Sequence, residues 1–578
     1  KPLNKIIEKH PNPQFAREKI YLLDGEWEIS LNGERMRKIR VPYCPESELS
    51  GIGYTDFIRE CEYRKMFELP EGMRKGKVLL RFGAVNYFAR VYVNGKCAGS
   101  HAGGYTPFCF DVTEMLKSGE NLIDVCVRNE LSERNPSGKQ SPKRESFGCF
   151  YTRCTGIWQS VWLESVPEKY IRSVRMVPNA EQGYVRMEIA AEGAEKFSAE
   201  ISIDGKTAGA CGGRLNRKGS FTVSLSEKRL WEVGRGELYE VKMRFGEDEV
   251  YTYFGLRDVK YEGYRFLVNG KPVFQRLVLD QGYYPKGVYT PESAEEFAAD
   301  IVRAQNLGFN GARLHQKVFD PRYLYESDKR GFMVWGEYAS WGVDYSDLTK
   351  FGQFVNEWRE TIERDLNHPS IVVWCPLNET WGELDDASKT RDVRFVDGVY
   401  AITKILDPTR PCVDVSGGMH GSKTDIADYH CYDGYEKLKQ RLDKAKRGEM
   451  DFLNMYLKGE GNGYAGEAQH LSEFGGVSFG GTRIEQTQCV QETAAWGYEA
   501  VSDEREFIEN YERVAQLVLG YENLSGFCYT QLYDIEQEQN GLYAYDRKPK
   551  FSAEGMRRIR ESNAFVAACE KTTGRSNR

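Results

Sequence analysis

From about residue 263 onward the chain alternates between short apolar runs and amphipathic stretches, eight times over. This alternation constrains the fold more than any other feature of the sequence. The strand-like runs are 273–280, 310–315, 332–338, 371–379, 411–417, 426–432, 470–475 and 526–534. Amphipathic stretches lie between most of them, at 292–307, 352–366, 391–406, 435–446 and 504–519, and 552–570 ends the series. Eight β-then-α units in about 310 residues predict a (β/α)8 TIM barrel over residues 259–578. The alternative is a doubly wound open sheet. No G-x-G-x-x-G follows any of these strands, so nothing supports a dinucleotide site.

Upstream of the barrel the pattern is strands and tight turns. Asn94-Gly95, Asn32-Gly33 and Asp204-Gly205 each sit between β-type runs, and such pairs favour the positive φ angles of a two-residue hairpin. A charged stretch after Pro167 marks a boundary, giving a first domain over 1–167. Residues 168–258 carry further short strand-like runs (184–190, 197–203, 221–225, 237–245), which predict a small β-sandwich.

Composition excludes several classes. Of the 578 residues, 79 are Lys or Arg and 86 are Asp or Glu, a net charge of −7, which argues against a nucleic-acid-binding surface. No apolar run is long enough for a membrane-spanning helix. The 14 Cys form no C-x-x-C pair and do not cluster with the 7 His at zinc-ligand spacing. Scattered cysteines in a long chain read as small buried hydrophobes of a reducing compartment. No signal-peptide core follows Lys1, so the expected location is cytoplasmic.

Function in such a barrel sits at the C-terminal ends of the strands. The fourth run ends Trp374-Cys-Pro-Leu-Asn378-Glu379 and the seventh Leu471-Ser-Glu473-Phe-Gly475. Three βα units separate the two glutamates, so both can face one pit. Paired carboxylates across a barrel mouth suit glycosidic bond cleavage: one protonates the leaving oxygen and the other attacks the anomeric carbon.

With these residues in view, the chain resembles glycoside hydrolase family 2, the β-galactosidase and β-glucuronidase family. The run Asp365-Leu-Asn367-His368-Pro369-Ser370-Ile-Val-Val-Trp374-Cys-Pro-Leu-Asn378-Glu379 is similar to that family's acid/base signature, with departures at Leu366 and Cys375. Leu23-Asp-Gly25-Glu-Trp27 and Gly156-Ile157-Trp-Gln-Ser-Val161 resemble its sugar-binding jelly roll. Gly255-Leu-Arg257 resembles the join from its immunoglobulin-like domain to the barrel. A second signature is weaker, because Gln316-Lys317 follows Arg313-Leu-His315 where the family has Tyr-Pro. The resemblance thus implies an N-terminal jelly roll, an immunoglobulin-like sandwich and a C-terminal TIM barrel.

It also implies roles. Glu379 is the expected general acid/base, Glu473 the nucleophile, and Asn378 a partner of the sugar 2-hydroxyl. A separation of roughly 5–5.5 Å between the carboxyl groups would mean a covalent intermediate and net retention. Asp280, Arg313, His315, Lys317, His430, Tyr432, Trp496, Tyr529 and Glu538 are further expected substrate-binding residues. Trp341 and Trp381 are candidates for stacking on a sugar. For Asp280 and His430 a structural role is the alternative, and Glu337 reads as an ion-pair partner of Arg313. Such chemistry needs no organic cofactor or metal, and the resemblance implies a homo-oligomer acting on small or oligomeric glycosides.

β-Glucuronidases of the family hold the uronate with an N-x-K pair. Here Glu538 and Asn540 occupy those positions, just before Gly541 and Asp546-Arg547. A carboxylate at 538 would repel a uronate held in that manner, so galacto-configured substrates, galactosides or galacturonides, are favoured over glucuronides. Arg313 and Lys317 leave a carboxylate-binding route open. A carbohydrate-binding protein without activity is the rival from another class, motivated by the altered second signature.

Overall fold

The computed structural model describes residues 3–380, 391–479 and 500–571. Two antiparallel sheets open the chain. In the first, Ile20–Leu22, Val161–Val166, Lys77–Phe82 and Phe108–Asp111 lie side by side; in the second, Arg37–Val41, Gly25–Leu31, Glu60–Glu68, Glu120–Arg128, Phe88–Val93 and Lys96–Ala102. Alternate side chains of both sheets meet in one core containing Trp27, Tyr63, Leu80, Phe82, Val91 and Val125. This is the jelly roll. Its predicted hairpin is present: Asn94 (φ 50°) and Gly95 (φ 78°) supply two consecutive positive φ angles.

The next region differs from the expected set of short strands. Tyr184–Ile203 and Lys206–Ser224 are long strands paired with each other nearly throughout. The register of Tyr184–Ile203 shifts between Ala190 and Ala194. Its first half pairs with Ile171–Asn179 and its second with Tyr239–Phe245, so one strand serves both sides of the core. Lys206–Ser224 has a pairing partner on one side only and is largely exposed. Its glycines carry little apolar alternation before Phe221, so in the sequence only its end, within 221–225, reads as a strand run.

The barrel strands are β1 (Gln275–Asp280), β2 (Gly311–Leu314), β3 (Met333–Glu337), β4 (Ile371–Cys375), β5 (Val415–Ser416), β6 (Ile426–Cys431), β7 (Ala468–Gly475) and β8 (Leu524–Thr530). All their ladders are parallel, in the order β4-β3-β2-β1-β8-β7-β6. β5 joins β4 through Leu377–Asn378 and a bridge from Trp374 to Cys412. Six of the eight predicted runs contain their strands, β7 and β8 begin two residues before theirs, and β1 beside β8 closes the sheet into a barrel. The helices are α1 (Glu295–Asn306), α2 (Pro321–Arg330), α3 (Phe351–Asp365), α4 (Val393–Leu406), α5 (Tyr435–Lys446), α6 (Glu504–Leu519) and α7 (Ala553–Asn563). α2 shows the local grammar: Asp320 accepts from Arg322 N as N-cap, Pro321 opens the first turn, and Gly331 (φ 62°) ends it. Among the described residues no helix is long and apolar enough to cross a membrane.

The first half of the acid/base signature serves as a joint. Asn367 Nδ2 donates to the Val174 carbonyl (2.9 Å) and its Oδ1 accepts from Met176 N (2.8 Å). His368 Nδ1 lies 2.6 Å from Asp328 Oδ2 of α2 and 3.2 Å from the hydroxyl of Tyr253 in the sandwich, and Arg257 donates to the carbonyls of Pro369 and Ile371. These contacts fasten the sandwich to the start of β4, the end of a barrel strand associated with stability. The jelly roll packs at the other face, with Tyr105 and Trp158 against Tyr289 and with Tyr87 donating to Glu357 of α3.

Candidate active site

β4 and β7 end where the sequence places its two glutamates, and the barrel brings both to one pit. Glu379 follows Leu377–Asn378, with its amide donating to the Ser416 carbonyl at 2.9 Å and its backbone at φ 38°, a left-handed conformation that a non-glycine residue adopts at a cost. Glu473 lies within β7, pointing into the barrel while its neighbour Phe474 packs outward against Tyr529. Both glutamates are buried. One oxygen of each carboxylate and a nitrogen of His430 lie within 4.8 Å of one another. His430 Nδ1 sits 2.5 Å from Glu379 Oε1 and 3.3 Å from Glu473 Oε2.

The imidazole is held from behind, its Nε2 3.1 Å from Ser416 Oγ. Ser416 Oγ also donates to Asp428 Oδ2 at 2.8 Å. Burial opposes a charge on His430, but Glu473 and Glu379 outweigh it and raise its pKa. Glu473 is fixed on two more sides. Tyr432 donates to Oε2 at 2.5 Å, and Arg313 Nη1 donates to Oε1 at 3.2 Å. Arg313 also reaches Glu337 Oε2 (2.6 Å), the Ser472 carbonyl (2.8 Å) and Asn378 Oδ1 (3.2 Å). Among the described residues, Glu379, His430 and Glu473 also form the one set of three whose ligand atoms could converge on a metal ion.

The remaining expected residues divide. His315 stays at the pit: Nδ1 is 3.2 Å from Glu337 Oε1 and Nε2 is 4.0 Å from Glu473 Oε1. Burial and the nearby Lys139 hold its pKa well below the ordinary value. Asn378 Nδ2 has no hydrogen-bond partner among the described residues, while its Oδ1 is taken by Arg313. Trp341 Nε1 donates to the Asn378 carbonyl at 2.9 Å, which makes the indole part of the pit wall. Glu538 is buried, accepting from the Tyr151 hydroxyl and from Asn540 Nδ2.

Four expectations need correction. Arg313 is committed to three carboxylate or amide partners and a carbonyl, so it positions Glu473 instead of offering its fork to substrate. Lys317 points into a cage of Trp158, Tyr284, Tyr289 and Phe319 and donates to the carbonyls of Gly282 and Tyr289. It bonds none of the pit residues. Tyr529 packs against Phe474 and Tyr511 of α6, because the strand pleat directs it to the helix layer. Asp280 accepts from Gly282 N (3.0 Å), Tyr533 and Tyr323 and holds the turn after β1. Trp381 and Trp496 lie outside the described residues. Ser340, whose hydroxyl accepts from Asn378 N at 3.3 Å, Ser416 and Lys139 were not anticipated. Isolated serines carry no pattern, and Lys139 arrives from the jelly roll.

Comparison with known proteins follows the same lines. Residues 56–167 match the sugar binding domain model of glycosyl hydrolases family 2, and residues 294–565 match its TIM barrel domain model. A β-galactosidase of Thermoanaerobacter pseudethanolicus is 29% identical over 387 residues, covering 60% of this chain and 47% of that protein. The β-glucuronidase of Canis lupus familiaris is 26% identical over 423 residues, covering 67% of this chain and 63% of that protein. The matched part thus spans about half to under two thirds of these relatives' length. The crystal structure of a β-galacturonidase from Eisenbergiella tayi superposes with a TM-score of 0.75 at 21% identity, covering 95% of this chain and 97% of the other.

Proposed function

Because this chain belongs to glycoside hydrolase family 2, we propose that it is a retaining exo-β-glycosidase acting on terminal β-linked sugars of galacto configuration. The observation that carries the proposal is the carboxylate pair, with one oxygen from Glu379 and one from Glu473 within 4.8 Å. That spacing suits a direct displacement by Glu473 and leaves too little room for the intervening water of an inverting enzyme, which needs roughly 6.5–9.5 Å.

In the first step Glu473 attacks the anomeric carbon while Glu379 gives its proton to the glycosidic oxygen, and the C–O bond to the aglycone breaks. The product is a glycosyl ester on Glu473 and the free alcohol. In the second step Glu379 takes a proton from water, the hydroxide oxygen attacks the anomeric carbon, and the ester bond to Glu473 breaks. Arg313 and Tyr432 hold the Glu473 oxygens in attack position. Asn378 Nδ2 is the buried donor available to a sugar hydroxyl. The relatives' names include both galactosidase and glucuronidase, so the galacto preference rests on Glu538 and Asn540 standing where β-glucuronidases carry their N-x-K pair.

The test is hydrolysis of aryl β-galactoside, β-galacturonide and β-glucuronide by the wild type, Glu379→Gln and Glu473→Gln, with the first-formed anomer read by NMR. We expect cleavage by the wild type with the β anomer first, and loss of about 10²-fold or more in each variant. Either variant at wild-type rate, an α anomer first, or sugar binding without turnover would overturn the proposal.

A further inference from the structure

A second polar group lies at the barrel mouth beside the carboxylate pair, and the jelly roll contributes its charge. The amides of Ser137 and Gly138 both donate to the Trp341 carbonyl, at 2.8 and 3.1 Å. Gly138 has φ +59°, and a Cβ there would stand 2.4 Å from the Gln316 carbonyl oxygen, so only glycine permits this approach. The contact fixes Lys139. Its side chain is buried, its ammonium lies 3.9 Å from the centroid of the Trp341 ring, and its charge bears on both His315 and Glu538. Trp341 and His315 are pit residues, so the ammonium belongs to the pit.

Facing it is a closed ring of side chains. The Tyr151 hydroxyl donates to Glu538 Oε2, and Asn540 Nδ2 donates to Glu538 Oε1 at 3.2 Å. Gln531 Nε2 donates to Asn540 Oδ1 (2.9 Å), and Gln281 Nε2 donates to both Gln531 Oε1 (2.8 Å) and the Tyr151 hydroxyl (3.1 Å). Gln281 Oε1 has no hydrogen-bond partner among the described residues. Gln531 follows Thr530, whose hydroxyl meets that of Tyr432 at 3.0 Å, so the ring adjoins the nucleophile's support.

Resting on the glycosidase reading, we infer that Lys139 is a specificity-determining residue whose ammonium, set against the Glu538 ring, binds the carboxylate of a terminal β-linked hexuronic acid. The two cations that the sequence suggested for this task are engaged elsewhere. Arg313 is held by Glu337, Glu473 and Asn378, and Lys317 by two backbone carbonyls. An ammonium over an indole face is stabilised as a cation, and it presents a compact point charge to an anion. Glu538 does not bar that anion. Burial pushes its carboxyl up to about 7 against the pull of Lys139, so it takes up a proton at modest cost when a second carboxylate arrives.

The experiment compares kcat/KM of wild type, Lys139→Met and Glu538→Gln on aryl β-galacturonide, β-glucuronide and β-galactoside. We expect Lys139→Met to lose roughly 30-fold or more on the uronides it cleaves, with less than about threefold change on the galactoside. Glu538→Gln should raise the uronide-to-galactoside ratio, and it carries the test if Lys139→Met fails to fold. Equal losses on charged and neutral substrates, a fallen ratio in Glu538→Gln, or a wild type that cleaves the galactoside but no uronide would overturn the inference. A wild type that cleaves none of the three would instead overturn the glycosidase reading.

Discussion

Arg313 Nε donates to Glu337 Oε2 at 2.6 Å, and both side chains are almost completely excluded from solvent. The pair joins the ends of β2 and β3, and through its other nitrogens the guanidinium reaches Glu473. Removing the acid leaves a buried cation short of its closest counter-charge, which typically costs about 3–5 kcal/mol. Glu337→Ala is therefore expected to lower the barrel's melting temperature in calorimetry and, on the proposed mechanism, to reduce kcat, because Arg313 is freed from the geometry that holds Glu473. Glu337→Gln keeps the shape and one acceptor and should lose less of both. A Glu337→Ala protein with wild-type melting and turnover would show that Arg313 is held by its other partners alone.

Tyr432 offers a cleaner separation of positioning from folding. Its hydroxyl donates to Glu473 Oε2 at 2.5 Å and meets Thr530 Oγ1 at 3.0 Å, while its ring is buried. A hydrogen bond to a charged group contributes about 1.5–3 kcal/mol. Tyr432→Phe keeps the ring and loses the bond, so kcat/KM on any cleaved glycoside should fall about 10- to 100-fold. The far-ultraviolet circular dichroism should stay that of the wild type. A change confined to KM, with kcat intact, would mean that Tyr432 touches substrate and does not orient Glu473.

How far the sequence was readable varies with how local the determinant is. Glu379 and Glu473 were legible because each ends an apolar run inside a recognisable context, and strand ends map directly onto the barrel mouth. Asn367, His368 and Pro369 belong to the same signature as Glu379, yet they bind the sandwich at the opposite end of β4. The linear motif does not separate those two duties. Lys317 and Tyr529 were misread for one reason: near a strand end, the face a side chain takes depends on the pleat and on what packs across it. Lys139 was invisible because its position depends on a jelly-roll loop seated on Trp341, a contact between segments some 200 residues apart. The length of the edge strand Lys206–Ser224, beyond the expected run at 221–225, was not legible because its partner, not its own composition, makes it a strand.

The last prediction concerns a buried ion pair behind the pit. His420 Nδ1 lies 2.6 Å from Asp414 Oδ1, and Nε2 donates to the Asp428 carbonyl at 2.9 Å. Asp428 in turn accepts from Ser416 and Ser472, which adjoin Glu379 and Glu473. Burial disfavours the charged ring, but Asp414 more than compensates, and the His420 pKa is raised to about 9. Its unfolded value is near 6.5. Between those values the folded state binds the extra proton, so the stabilisation is fully present below pH 6.5 and is lost as pH rises through about 9. Replacing His420 by Gln removes the titrating group. The melting-temperature gap between wild type and His420→Gln should therefore be widest near pH 6 and should narrow steadily towards pH 9.5. A gap that stays constant over that range would mean that the ring stabilises the fold by its packing alone, with the proton playing no part.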